Sequence, residues 1–432
     1  MRSVAFHTLG CKVNQYDSQA MLELFENAGY EIRDFSQYAD VYVINTCTVT
    51  GTGDKKSMNA VRRAFRLNPA AQVVIAGCLA QRDGEKLLAT GARLVIGNAR
   101  RGEVVSLLEE AVEKGEQVAA VESILRTPYE PLTISRHAGH TRAVLKIQEG
   151  CDRYCTYCII PYVRGGIRSR RPGEIGAEAR RLAQAGFEEL VLTGIHLTSY
   201  GRDLDGETLL DAVRAADAPG ITRIRLGSLE PVIVTEAFAN ALKEEIKVCP
   251  QFHLALQSGS DSVLARMRRR YTTADFRQAC AILRQAFPGC ALTTDVIAGF
   301  PGETEEEFAQ TLAFCKEIGF ARMHVFPYSA RQGTPAASMS GQVPRALREE
   351  RARALIAVGN ELARAYRESL IGKTVEVLAE ETDAQGVIHG YTREYMDCAV
   401  PGGRQGVAYA VRVTGLTEEG LAGEILSPLN AS

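Results

Sequence analysis

Gly150-Cys151-Asp152-Arg153-Tyr154-Cys155-Thr156-Tyr157-Cys158-Ile159-Ile160-Pro161 sets the terms for the whole chain. Its cysteines are spaced C-x₃-C-x₂-C, so one short loop offers three thiolates. The count is informative. A structural zinc ion or an electron-carrying iron–sulfur cubane takes four protein ligands. A cubane held by three leaves one iron open to bind something else.

That spacing resembles the signature loop of radical S-adenosylmethionine (SAM) enzymes. The resemblance implies that Cys151, Cys155 and Cys158 hold a [4Fe–4S] cluster whose open iron binds the amino and carboxylate groups of SAM. It also places Tyr157, the aromatic residue before the third cysteine, beside the adenine of SAM. In such enzymes the cofactor carries the hard chemistry and the protein positions it. A reduced thiol cluster, or a zinc knuckle one ligand short, is the plainer alternative.

The composition fits a soluble multidomain protein. With 432 residues the chain is too long for one ordinary core, so two or three domains are expected. Hydrophobic residues make up 46% and charged residues 24%, ordinary values for a globular protein. No apolar run reaches the length of a membrane span, so no membrane is expected. The start, Met1-Arg2-Ser3-Val4-Ala5-Phe6-His7, lacks a signal-peptide layout, and a cytoplasmic location is expected. Eleven cysteines in that compartment point to metal or catalysis rather than disulfides. The net charge of −2 leaves any nucleic-acid site to local patches.

Upstream of the loop, the first third repeats one pattern. Ser3–Thr8, Val41–Ile44 and Val73–Ala76 read as strands, with helical stretches near Ser18–Ala28 and Lys55–Leu67 between them. Continuous apolar strands alternating with helices predict a parallel sheet covered on both faces. Cys11, Cys47 and Cys78 each follow the carboxyl end of a strand, where open α/β sheets bind ligands. Three buried cysteines acting as small hydrophobes is the competing explanation. Three at equivalent strand ends favour a second cluster.

Thr8-Leu9-Gly10-Cys11-Lys12-Val13-Asn14, Asn45-Thr46-Cys47-Thr48-Val49 and Ala76-Gly77-Cys78 resemble the three cysteine motifs of the methylthiotransferase family of radical SAM enzymes. The resemblance covers essentially the whole chain. It implies an auxiliary [4Fe–4S] cluster on Cys11, Cys47 and Cys78, hence two clusters and SAM as cofactors.

Residues 122–141 read as an extended connector. Beyond them, Arg142–Gln148, Leu190–Gly194, Arg223–Gly227, His253–Gln257, Leu292–Ile297 and His324–Tyr328 are strands separated by helical patterns. Six such units predict a partial barrel with its site at the strands' carboxyl ends. Thr304-Glu305-Glu306-Glu307 has capping-box spacing. After an Arg/Glu/Ala-rich helix near residues 341–369, short alternating strands predict a small β-barrel, which resembles the RNA-binding TRAM domain. From residue 372 onward it holds nine acidic residues against four basic ones, so it is no uniformly basic RNA platform. Tyr391 and Tyr395 could stack on bases. The expected fold class is α/β: an N-terminal parallel α/β sandwich over residues 1–125, a partial (βα)6 radical SAM barrel over 140–370, and a TRAM-like β-barrel over 371–432.

Strand-end polar residues Thr193, Gly194, Ser228, Glu230, Gln257 and Ser258 are assigned to SAM by the resemblance. Arg164-Gly165-Gly166-Ile167-Arg168-Ser169-Arg170-Arg171 and Arg266-Met267-Arg268-Arg269-Arg270 are basic clusters beside the site, read as phosphate contacts. Arg164, Arg168, Arg268, Arg269 and Asp295 are the substrate candidates. His7 and His253 are expected in the core, and His137 and His140 exposed in the connector. Cys249, Cys280, Cys290, Cys315 and Cys398 lack ligand spacing and should be inert.

The resemblance implies methylthiolation of a tRNA base. SAM is cleaved reductively, the radical takes hydrogen from carbon 2 of an adenine, the auxiliary cluster supplies sulfur, and a second SAM supplies the methyl group. A splayed-out base in an anticodon loop suits such chemistry. Leu9-Gly10-Cys11-Lys12-Val13-Asn14-Gln15 most resembles the branch acting on N6-threonylcarbamoyladenosine at position 37, whereas the isopentenyladenosine branch typically carries Cys-Gln-Met-Asn there. The former substrate bears a carboxylate, for which Arg164 and Arg168 are the expected partners. Expected partners are a tRNA anticodon stem-loop, a small electron-donor protein and a sulfide source. Rival functions are methylthiolation of isopentenyladenosine or of a ribosomal-protein aspartate, and a non-enzymatic Fe–S RNA-binding redox sensor.

Overall fold

The computed structural model describes residues 2–125, 127–135 and 141–429; His137 and His140 lie outside the described residues. Residues up to Ala120 build a six-stranded, all-parallel sheet in the order β2-β1-β3-β4-β5-β6. Its strands are β1 (Ser3–Thr8), β2 (Glu31–Arg33), β3 (Val41–Thr46), β4 (Gln72–Gly77), β5 (Leu94–Ile96) and β6 (Val118–Ala120). Helices α1 (Lys12–Asn27), α2 (Gly51–Leu67), α3 (Cys78–Asp83) and α4 (Val104–Glu113) cover it. The central β3 is buried along its full length, as its continuous apolar sequence requires. One apolar cluster, with Tyr42, Ile44 and Ile75, fills one side of the sheet; another, with Phe25, Val43 and Val74, fills the other.

Helix α1 begins six residues earlier than the sequence pattern suggests, immediately after Cys11. Helix α2 likewise starts at Gly51, because the Thr50 hydroxyl accepts the Gly53 N–H at 3.1 Å. Cys78 directly follows β4, as expected, and opens α3.

The second sheet system holds β7 (Arg142–Lys146), β10 (Glu189–Thr193), β11 (Arg223–Leu226), β12 (Ser228–Leu229), β13 (Gln251–Leu254), β14 (Ala291–Ala298) and β15 (Arg322–Pro327); β8 (Gln148–Glu149) and β9 (Arg168–Ser169) form a side ribbon. All barrel pairings are parallel. The third strand breaks at Gly227 into β11 and β12, which split the sheet into three- and four-stranded parts. Helices α5 (Ile160–Arg164), α6 (Pro172–Gln184), α7 (Leu209–Ala216), α8 (Glu236–Glu244), α9 (Asp261–Arg266), α10 (Thr273–Ala286), α11 (Glu305–Ile318) and α12 (Arg345–Glu368) surround it. Thr304 and Glu307 form a full capping box at α11.

Strands β16 (Thr374–Thr382), β17 (Val387–Thr392), β18 (Asp397–Pro401), β19 (Ala408–Leu416) and β20 (Leu421–Pro428) close a small barrel. It docks under the amino-terminal ends of β10 and β11. Arg223 Nε meets Glu376 Oε1 at 2.6 Å, and Arg225 Nη1 donates to the Arg393 carbonyl at 2.9 Å.

Candidate functional site

The radical SAM loop is aimed by Gly150, whose φ of +72° and whose Cβ position, 1.8 Å from the Gly166 carbonyl oxygen, exclude any other residue. Cys151 and Cys155 are buried and Cys158 is half-buried. Burial pushes the Cys151 thiol up to about 11 and that of Cys158 to about 12, and each thiol also feels its neighbours in the triad. Tyr157 is half-buried against Val263, Met267, Phe300, Tyr328 and Ala336.

The second triad is assembled by hydrogen bonds between three strand-end loops. Asn14 Nδ2 donates to the carbonyls of Leu9 (2.6 Å) and Thr46 (3.0 Å), and Asn45 Nδ2 donates to the Asn14 carbonyl at 3.0 Å. The Thr46 hydroxyl accepts the Leu79 N–H at 3.2 Å. Gly10, at φ +101°, passes so close to Cys47 that a Cβ would sit 3.0 Å from its sulfur. Cys47 interacts electrostatically with both Cys78 and Cys11, and burial, the largest influence, pushes its thiol up to about 11.

Among the described residues, no three His, Cys, Asp or Glu donors converge on one metal ion. A cubane does not require that, because its ligands bind separate irons at separate corners. In each triad one thiol interacts electrostatically with both others, Cys47 with Cys11 and Cys78 and Cys158 with Cys151 and Cys155, which suits a cluster better than a single ion.

Each triad has a buried arginine against one sulfur. Arg164 Nε lies 3.3 Å from Cys78 Sγ, and Arg269 Nη1 lies 3.2 Å from Cys155 Sγ. These guanidinium groups suit thiolate-rich clusters, whose negative charge they offset. Helix α5, about 7 Å long, joins the two sites by leading from the loop of Cys158 to Arg164.

Several sequence expectations need correction. Arg164 is fully buried and bonds Glu149 at 2.6 Å as well as Asp17 and Asn14, so it is unavailable to substrate. Arg168 is buried too, donating to Thr127 Oγ1 at 2.7 Å and to the Arg164 carbonyl at 2.6 Å. Arg170 pairs with Glu178 at 2.5 Å, which leaves Arg171 as the exposed arginine of that cluster. Arg269 serves Glu230 (2.9 Å) and Cys155, whereas Arg268 is exposed. Ser258 is buried, with its hydroxyl engaged by Thr311 at 3.2 Å. His253 is no core residue. It is half-buried, with Nδ1 3.0 Å from Thr293 Oγ1 and Nε2 3.3 Å from Asp295 Oδ2. His7 is half-buried against Phe35.

Around the loop, Glu230 is held by Arg153 (3.1 Å), Arg269 (2.9 Å) and His196 Nε2 (3.2 Å). Burial works against its ionisation, yet His196, Arg269 and Arg153 together lower its pKa to about 2. Thr193 is buried, Ser228 is exposed, and Gly194 lies where a Cβ would strike Gln148 at 2.8 Å. Gln257 is nearly buried at φ +68°, its backbone pinned to Asp295 and Ile297. Cys249, Cys280, Cys290, Cys315 and Cys398 are all buried.

Sequence reasoning missed His196 and Arg153, which grip Glu230, and the ion network of Asp17, Arg101, Lys146 and Glu149 behind the cysteines. It passed over Lys12 as a motif letter. The only signal was polar residues inside otherwise apolar strands and helices, whose partners lie on distant elements.

The barrel and its three-cysteine loop define a radical SAM enzyme. The family described as Radical SAM superfamily matches residues 145–315, and Uncharacterized protein family UPF0004 matches residues 3–97. The fold is shared with the radical SAM methyltransferase TsrM from Kitasatospora setae, at a TM-score of 0.56 and 15% identity over 78% of this chain and 75% of that one. The chain is 44% identical to the threonylcarbamoyladenosine tRNA methylthiotransferase MtaB of Bacillus subtilis, over 96% of its own length and 93% of that protein's. It is 36% identical to the namesake from Thermotoga maritima over 98% and 96%. It is 38% identical to the tRNA-2-methylthio-N(6)-dimethylallyladenosine synthase of Thermobifida fusca over 89% and 79%. The chain belongs to the methylthiotransferase family of radical SAM enzymes.

Proposed function

We propose that this protein is a radical SAM tRNA methylthiotransferase that adds a methylthio group to carbon 2 of N6-threonylcarbamoyladenosine at position 37, next to the anticodon. The observation that carries the reading is the pair of three-cysteine sites linked by α5, in a chain similar from end to end to proteins named for that activity. Cys151, Cys155 and Cys158 would hold one [4Fe–4S] cluster, and Cys11, Cys47 and Cys78 a second.

When bound, these groups supply the electron for reductive SAM cleavage and the sulfur for transfer. The protein's own residues do the rest. Tyr157 offers a face to the SAM adenine, and Thr193, Gly194, Ser228 and Gln257 line the strand ends where SAM would lie. Glu230 stays ionised and fixes Arg269 and Arg153 beside the loop. Asp295 and His253 face the barrel interior as a hydrogen-bonding pair for substrate. Arg268 and Arg171 remain exposed for RNA phosphates. We read residues 1–125, 140–370 and 371–432 as auxiliary-cluster, radical SAM and TRAM units, working in the cytoplasm with an electron-donor protein and a sulfide source.

Reconstituted protein, SAM, reductant and an anticodon stem-loop carrying N6-threonylcarbamoyladenosine test the reading. Nucleoside mass spectrometry should find the 2-methylthio product and 5′-deoxyadenosine, with about eight irons per chain. A product only on isopentenyladenosine RNA, or iron without SAM cleavage, would overturn it.

A further inference from the structure

Helix α1 begins with Lys12, directly after a cysteine of the second triad, and this side chain does not join the ion network behind the cysteines. It reaches into the barrel, with Nζ 5.8 Å from the centre of the Tyr395 ring. The charges it meets are those of Arg225, Arg142 and Glu189 at the barrel's base, together with the Tyr395 hydroxyl. Among the described residues no carboxylate or carbonyl oxygen lies within hydrogen-bond distance of Nζ.

The neighbouring cations are all provided for. Arg142 Nε meets Glu380 at 2.6 Å, Arg223 meets Glu376 at 2.6 Å, and Arg225 Nε meets Glu189 at 2.9 Å. Lys12 is left without an ion-pair partner among the described residues, half-buried beside arginines whose own carboxylates are already engaged. A buried ammonium without a counter-charge is costly, and an incoming carboxylate relieves that cost. His324, on β15, lies within electrostatic reach of Lys12. The His324 ring faces His253 at 6.0 Å.

We propose that Lys12 is the specificity-determining residue of this enzyme: its ammonium binds, inside the barrel, the carboxylate of the substrate base's N6 side chain. The inference rests on the function proposed above, since the threonylcarbamoyl group is what brings a carboxylate to that base. A neutral alkyl side chain in the same place would keep the ammonium dry and unpaired, so the residue selects against it as well as for the acid.

The test uses the full-length reconstituted enzyme and two stem-loop RNAs, one with the free threonylcarbamoyl carboxylate and one with it as the methyl ester. In the wild type, esterification should raise KM roughly ten- to a hundredfold with kcat little changed, the worth of one charge-assisted contact. In Lys12→Gln the ratio of ester to acid KM should fall towards one, while Lys12→Arg should keep it well above one. A wild-type ratio of one, or an undiminished ratio in Lys12→Gln, overturns the proposal. Should Lys12→Gln lose its second cluster, RNA affinity measured by fluorescence on the same protein gives the same ratio without turnover. A wild type that makes no methylthio product on either RNA overturns the functional reading instead.

Discussion

Arg164 shows how little a residue's type says about its job. A charged cluster beside a catalytic loop suggests phosphate binding. In the fold its guanidinium is buried between Cys78, Glu149, Asp17 and Asn14. Replacing it with methionine removes one of the three cations, beside Arg101 and Lys146, that neutralise the buried Asp17 and Glu149, a loss of about 3 kcal/mol. Arg164→Met should therefore melt several degrees lower and lose iron, with no selective change in RNA affinity, as a thermal melt and an iron assay will show. Glu230 gives a pH prediction. Its carboxyl sits near 2 in the fold against an ordinary 4.5, so the unfolded chain binds the proton more readily. Its contribution is complete above pH 4.5 and disappears as pH falls towards 2. Melting curves of Glu230→Gln should show lower stability at neutral pH and a flatter decline across that acid window. The C-x₃-C-x₂-C loop was legible at this scale because its spacing is local, whereas Cys11, Cys47 and Cys78 were read from their places at three strand ends and from the family motifs around them. The arginines' roles were not, because their partners lie up to 150 positions away.

At the scale of elements, glycines set where the sulfurs point. Gly10 is left-handed and in contact with Cys47, and Gly150 is left-handed against the Gly166 carbonyl. Gly10→Ala should lose the iron of the N-terminal triad while the C-x₃-C-x₂-C loop keeps its own and still cleaves SAM. Gly150→Ala should do the reverse. Iron content together with 5′-deoxyadenosine yield separates the two outcomes, and equal loss in both variants would contradict independent triads. Strand positions were readable from apolar runs, since β3 is buried throughout and β4 from Val73 to Gly77. Helix starts were not. Lys12, Asn14 and Asp17 break the amphipathic pattern of α1 because their polar groups serve the site rather than solvent.

At the scale of the molecule, the C-terminal barrel is a floor as much as a module. Arg223 and Arg225, two residues apart on one face of β11, bond Glu376, the Arg393 carbonyl and the Tyr391 carbonyl across the junction. Deleting residues 372–432 should leave those guanidiniums short of partners and open the lumen beneath Lys12. The truncated protein should melt lower and self-associate in size-exclusion chromatography; an unchanged, monomeric melt would mean the barrel is a detachable RNA arm. The sequence by itself determined the C-x₃-C-x₂-C loop, the parallel sheets and the cysteines at their strand ends, because close sulfur spacing and apolar periodicity are short-range properties of the chain. Only the tertiary structure decided which cations guard the sulfurs and which one is left over. An ion's role depends on where its counter-charge lies, and in this fold Lys12, Arg164 and Arg269 meet or lack theirs across elements that the sequence keeps far apart.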